Sequence, residues 1–173
     1  VALAVSGSIT GAGALAGTLG GNQELITVGA NFTVTTYTAN GTKVLLNGAT
    51  QPVSVGPGVG SYTFYDLEIN KTNPTDVVNA VSVWTVTNSL TMTRGTWNAG
   101  AFTHSIAGAW NSSSPNFTFN AGSSTITLTT LNANITTKAP PTDPFFNLTL
   151  NNGGVLQSSV QVSQDLTIVG GAL

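Results

Sequence analysis

Apolar and polar positions alternate in short runs along this chain. Ser124-Thr125-Ile126-Thr127-Leu128-Thr129 is the cleanest run, and Val81-Ser82-Val83-Trp84-Thr85-Val86 and Asn116-Phe117-Thr118-Phe119 follow the same rule. Period-two patterning in Thr, Val, Ile and aromatic residues predicts strands with one buried face. Gly, Asn, Ser and Pro separate the runs and supply turn chemistry. No stretch sustains a helical period, so the expectation is an all-β chain of short strands and tight turns.

Segments of the chain also match one another. Phe64-Tyr65-Asp66-Leu67-Glu68-Ile69-Asn70 matches Phe145-Phe146-Asn147-Leu148-Thr149-Leu150-Asn151. Val86 to Met92 matches Val162 to Ile168, and also Val5 to Thr10. Thr38-Ala39-Asn40-Gly41-Thr42-Lys43-Val44 matches Asn120-Ala121-Gly122-Ser123-Ser124-Thr125-Ile126, and Gly29-Ala30-Asn31 matches Gly108-Ala109-Trp110. The blocks keep one order at an offset of about 80 residues, which marks an internal repeat. We read residues 1–173 as one repeat-containing β domain: a partial repeat at 1–80, a repeat at 81–161 and a partial repeat at 162–173. A unit of about 80 residues holds three or four coils of a β-solenoid (a parallel β-helix) if each coil takes about 20 to 25 residues. The alternative is a β-sandwich subunit with strand exchange, which shows a similar density of short strands. The repetition and the Thr, Asn and Gly at turns favour the solenoid.

Composition changes the picture in one respect. Charged residues make up only 6% of the chain, against about 25% in ordinary soluble domains. Thr, Ser, Asn and Gly take their place, a surface that hydrogen-bonds water but repels nothing. It suits a protein packed in an assembly, glycosylated or anchored in a larger molecule. Lys43, Lys71, Arg94 and Lys138 are scattered, so the chain lacks the clustered basic field of a nucleic-acid partner or an anionic-membrane anchor. No cysteine is present, which removes disulfides and thiolate chemistry. Val1 to Gly21 is uncharged, but repeated Gly, Ser and Thr argue against a membrane span, and no basic region marks a signal peptide.

The segments Phe64 to Asn70, Leu90 to Trp97 continuing through Gly100, Gly108 to Asn111 and Asn120 to Leu128 resemble Thr/Asn/Gly-rich repeats of large secreted microbial surface proteins of the filamentous-haemagglutinin-like adhesin type. The resemblance implies a parallel β-helix, extracellular display, and adhesion or surface-layer building. It carries over no functional residue.

Candidate chemistry is sparse. His104, the single histidine, shares parity with Phe102 and Ile106, so a hydrogen-bonded strand histidine on the apolar face is expected. Asp66 and Glu68 share a strand face, and the matching copy carries Asn147 and Thr149 there. A solvated face fits better than a calcium contact, which needs six to eight oxygens, or a glycosidase pair. Trp84, Trp97 and Trp110 recur every 13 residues. They fill the core or, on the alternative view, form a sugar-stacking platform. Seven sequons, at Asn31, Asn40, Asn70, Asn111, Asn116, Asn134 and Asn147, are candidate glycosylation sites. Val1, Leu3 and Val5 form an apolar strand suited to joining a neighbouring subunit.

The expectation is therefore a non-enzymatic extracellular structural or adhesive surface protein: a fibre, sheath or surface-layer subunit, or an adhesin stalk segment. Its alternative is a carbohydrate-binding module using the tryptophans. No cofactor or metal is expected. The expected partners are copies of itself or neighbouring repeats, and glycans, with no nucleic acid and no membrane insertion.

Overall fold

The computed structural model describes residues 2–16 and 24–173. Those residues form strands and turns and no helix, so none is long and apolar enough to cross a membrane. The chain winds as a parallel β-solenoid of about seven turns, each of about 22 residues. Each turn visits three faces in order.

The first turn lays β1 (Ala2–Val5) on face 1 and carries β2 (Ile9–Ala16) over faces 2 and 3. β3 (Leu25–Val28) and β4 (Phe32–Thr38) repeat that layout. β5 (Lys43–Leu46) lies on face 1, β6 (Val53–Val55) on face 2, and β7 (Ser61–Asn70) rounds the corner from face 3 to face 1. β8 (Val77–Ala80) follows on face 2, and β9 (Val83–Asn98) then runs over faces 3, 1 and 2 without a break. Next come β10 (Thr103–Ile106), β11 (Trp110–Asn111), β12 (Phe117–Asn120) and β13 (Thr125–Leu128) on faces 3, 1, 2 and 3. β14 (Ala133–Thr136) and β16 (Gly154–Leu156) stack under β11, and β15 (Asn147–Leu150) and β17 (Leu166–Ile168) under β13.

Every strand pair among the described residues is parallel. That selects the solenoid over the β-sandwich, whose neighbours are antiparallel. Successive rungs on face 1 are Ala2, Leu25, Lys43, Asp66 and Ser89. Alternate residues point inward, so like residues pile into ladders. Ile26, Val44, Leu67 and Leu90 form one such ladder, and Ile106, Leu128 and Leu150 another.

Between the faces runs a spine of aromatic rings. Phe64 meets Trp84 at 5.9 Å, Trp84 stacks on Trp97 at 5.1 Å and 3°, Trp97 meets Phe119 at 5.3 Å, and Trp110 touches both Phe119 and Phe145 at 4.8 Å. Such pairs add about 0.5–1.5 kcal/mol each beyond their buried area. Trp84, Trp97 and Trp110 are 0%, 0% and 1% exposed. None offers a ring face to solvent, which corrects the view of Trp84, Trp97 and Trp110 as a sugar-stacking platform. Their inward parity on β9 and at the start of β11 commits them to the core.

The structural repeat is the turn of about 22 residues, of which an offset of about 80 is no whole number, so matched blocks fall at different corners; one matched pair still builds the same turn. Thr42 N–H donates to Ala39 O (2.7 Å) between faces 3 and 1, and Ser124 N–H donates to Ala121 O (3.0 Å) between faces 2 and 3. Both turns bury the hydroxyl residue. Gly122, at φ +59, lies so close to the turn before it that a Cβ would sit 2.6 Å from Gly100 O. Only glycine permits that stacking.

Candidate functional site

His104, Lys71 and Asp143 serve the backbone in this fold. His104 is fully buried. Its Nδ1 accepts the Trp84 backbone N–H at 3.1 Å, so its Nε2 carries the proton and donates to Ala99 O at 2.9 Å. Burial holds its pKa below the usual 6.5, against the opposing pull of the Ala99 carbonyl. It is a neutral hydrogen-bonded strand histidine on the apolar face.

Lys71, which the sequence did not single out, is 1% exposed. Its ammonium donates to Asn47 O (2.6 Å) and Gly29 O (3.4 Å), tying three turns together. Burial lowers its pKa, and the negative charge of Asp76 opposes the shift. Asp66 and Glu68 point away from the core on face 1, but Asp66 is only 7% exposed and Glu68 is half-buried, which corrects the expectation of a solvated face: neighbouring side chains cover them. Asn88 Nδ2 donates to Asp66 at 2.7 Å, and Glu68 pairs with Lys43 from the adjacent rung. Among the described residues no group of three His, Cys, Asp or Glu could hold a metal ion.

The sequons divide by exposure. Asn40, Asn111, Asn116 and Asn134 are exposed, whereas Asn31, Asn70 and Asn147 are half-buried. Asn31 Oδ1 accepts Ser54 N–H at 2.8 Å, and Asn147 Oδ1 accepts Asp165 N–H at 3.1 Å, so both side chains already hold neighbouring turns. Val1 lies outside the described residues. Leu3 is 44% exposed and Val5 half-buried. Their strand β1 is paired to β3 of its own chain along one edge, and no described strand covers the other.

The ladders break at two places, and there the solenoid departs from a uniform rod. On face 2 no strand follows β12, because the next turn passes through Pro140, Pro141 and Pro144, which lack a backbone N–H to donate. Asp143 fills that break. Its Oδ2 accepts Phe119 N–H at 3.1 Å and pairs with Lys138 Nζ at 2.8 Å, while Thr142 Oγ1 donates to its Oδ1.

On face 1 the stack from β1 to β9 stops, and β11, β14 and β16 form a separate sheet. Asn111 lies at the break. Its Oδ1 accepts both Ser113 N–H (3.1 Å) and Ser113 Oγ–H (2.7 Å), a side-chain turn that ends β11 after two residues. The facing turns are joined at one end by Ala107 N–H to Val86 O (2.8 Å) and at the other by Ser114 Oγ–H to Thr93 O (2.7 Å). Among the described residues no backbone hydrogen bond crosses between Thr87–Met92 and Gly108–Ser113. The two turns flank a slot of about 340 Å³, with Asn88, Ser89, Thr91, Asn111 and Ser113 beside the apolar Leu90, Met92 and Ala109 in its lining and no charged side chain. Periodicity could not reveal it, since Ser89–Met92 reads as an ordinary rung. The Asn-Ser-Ser-Ser-Pro run at Asn111–Pro115 was the available signal.

No family model matches the chain, and no curated protein or solved structure matches it.

Proposed function

We propose that this chain is part of an extracellular structural or adhesive surface protein, a length of rod in a fibre, sheath, surface layer or adhesin stalk of the filamentous-haemagglutinin-like type. The observation that carries this reading is the rod's outer coat, almost free of charge and ordered by rows of neutral side chains. On face 2, Asn120 Nδ2 donates to Asn98 Oδ1 (3.0 Å), and Asn98 Nδ2 donates to Asn79 Oδ1 (2.8 Å). On face 3, Thr125 and Thr127 point outward above Asn147 and Thr149. Such a coat stabilises the stack from outside and opposes no lateral neighbour.

Leu3 at one end and Leu166 and Ile168 at the other are 44%, 46% and 42% exposed. Further turns, of the same protein or of a neighbour, would cover them. The proposed role is not catalytic, and the exposed Asn40, Asn111, Asn116 and Asn134 are its proposed sites of glycan attachment.

Light scattering on size-fractionated protein, with electron microscopy of the fractions, tests the assembling version. Rods that lengthen with concentration, and that Ile168→Asp shortens to single units, are the expected outcome. A monomer unchanged by dilution or concentration removes self-assembly and leaves the stalk role. Mass spectrometry of material from the natural source should find glycans at the exposed sequons before the half-buried ones.

A further inference from the structure

The slot on face 1 is a place where the fold leaves hydrogen-bonding groups without protein partners. Backbone groups of a strand alternate between its two neighbours. Those of Ser89–Met92 that face β7 are paired, and those that face the slot have no backbone partner among the described residues. Unpaired backbone amides and carbonyls need water or a ligand. The side chains around them add matched neutral groups. Asn88 gives one Nδ2 hydrogen to Asp66, leaving Oδ1 as an acceptor. Asn111 uses Oδ1 in its own turn, leaving Nδ2 as a donor. Ser89 and Thr91 present exposed hydroxyls on the same face.

A peptide strand running through the slot is blocked at both ends, by the Ala107 N–H to Val86 O bond and the Ser114 Oγ–H to Thr93 O bond. A charged ligand finds no countercharge in the lining. A compact neutral molecule bearing donors and acceptors side by side does fit, because each of its hydroxyls can both give and accept a hydrogen bond. The volume lies at the small end of ligand sites, about 300–1,000 Å³. We infer that the face 1 slot between β9 and β11 is a binding site for a neutral saccharide, held by the open backbone of Ser89–Met92 and by Asn88 and Asn111. The buried tryptophans take no part.

This inference names a ligand for the adhesive half of the proposed function, but it stands on the break and not on assembly. The experiment is amide chemical-shift mapping of the isotope-labelled chain against cellotetraose, maltotetraose and mannotetraose, with tetragalacturonate as the anionic control. The expected result is a saturable shift at Ser89–Met92 and Ala109–Ser113 with at least one neutral oligomer. Ser89→Tyr fills the slot from an exposed position and should abolish the shift with the melting temperature unchanged. Asn111→Asp keeps the turn acceptor, removes the Nδ2 donor and should weaken binding at least tenfold. No saturable shift with any neutral oligomer overturns the site, as does binding that survives Ser89→Tyr or is matched by tetragalacturonate. Rods that assemble but bind no saccharide would sink the site and leave the structural reading standing.

Discussion

The two ladder breaks pose the same physical problem and receive different solutions. Where a strand is missing, the strand above keeps amides and carbonyls that its neighbour would have paired. On face 2 the chain supplies a substitute: Asp143 takes Phe119 N–H, and Lys138 balances the charge. On face 1 it ties only the rims, through Val86 with Ala107 and Thr93 with Ser114, and leaves the middle open. An unpartnered buried polar group costs about 1–3 kcal/mol, so a closed break and an open one differ in kind. The first is mended by the chain itself, and the second can trade water for a ligand.

The largest effect expected on this comparison comes from the spine beneath both breaks. Trp97 stacks on Trp84, touches Phe119 beside the face 2 break, and lies 6.1 Å from Trp110 under the face 1 break. Trp97→Ala should cost about 3–5 kcal/mol by denaturant unfolding. Its indole N–H is buried without a partner, so Trp97→Phe should cost well under half of that. If alanine were nearly neutral, the spine would not support the two sites.

Next comes the mended break. Asp143→Ala strips Phe119 N–H and Lys138 of their shared acceptor and should cost about 2 kcal/mol. Asp143→Asn keeps an oxygen for Phe119 and should lose less than half as much. Equal losses would mean that the ion pair, and not the backbone cap, closes face 2.

His104 offers a third comparison, since it mends the Trp84 amide with a group that titrates. Its folded pKa is depressed below 6.5, so the unfolded chain binds the proton more readily and stability must fall as pH falls through that value. Melting curves should show full stability above about pH 6.5 and a decline below it. His104→Gln should flatten that part of the profile.

The smallest effect concerns the open break. Ser114→Ala unties one rim and should cost about 1 kcal/mol or less, while raising hydrogen exchange at Leu90 to Met92 and leaving Phe117 to Asn120 unchanged. Faster exchange at both breaks would show that they are coupled.

Much of the framework is legible in the sequence. The run Ser124–Thr129 became β13, Asn116–Phe119 became β12 and Val81–Val86 opened β9. Alternation reports local burial, and every such run buries one side against the same core. The parity of His104 with Ile106 placed it indoors for the same reason. One matched pair was legible as local chemistry, for the Thr42 and Ser124 turns each close with the same kind of backbone hydrogen bond and bury a hydroxyl residue. Their corners were not legible, because a turn motif carries no record of how many faces the chain has passed. The tryptophan spacing suggested a row. It could not show that β9 rounds two corners and so brings Trp84 and Trp97 face to face inside.

By itself, then, the sequence determined strand identity, inward and outward parity, turn positions and the scarcity of charge, all properties set within a few neighbouring residues. Tertiary structure alone decided which rungs meet across about 22 residues, and therefore where a rung is missing. Asp143 reaching Phe119 and Asn111 ending β11 opposite Ser89–Met92 are relations between successive turns. Their physical origin is the alignment of separate coils, to which a local pattern is blind.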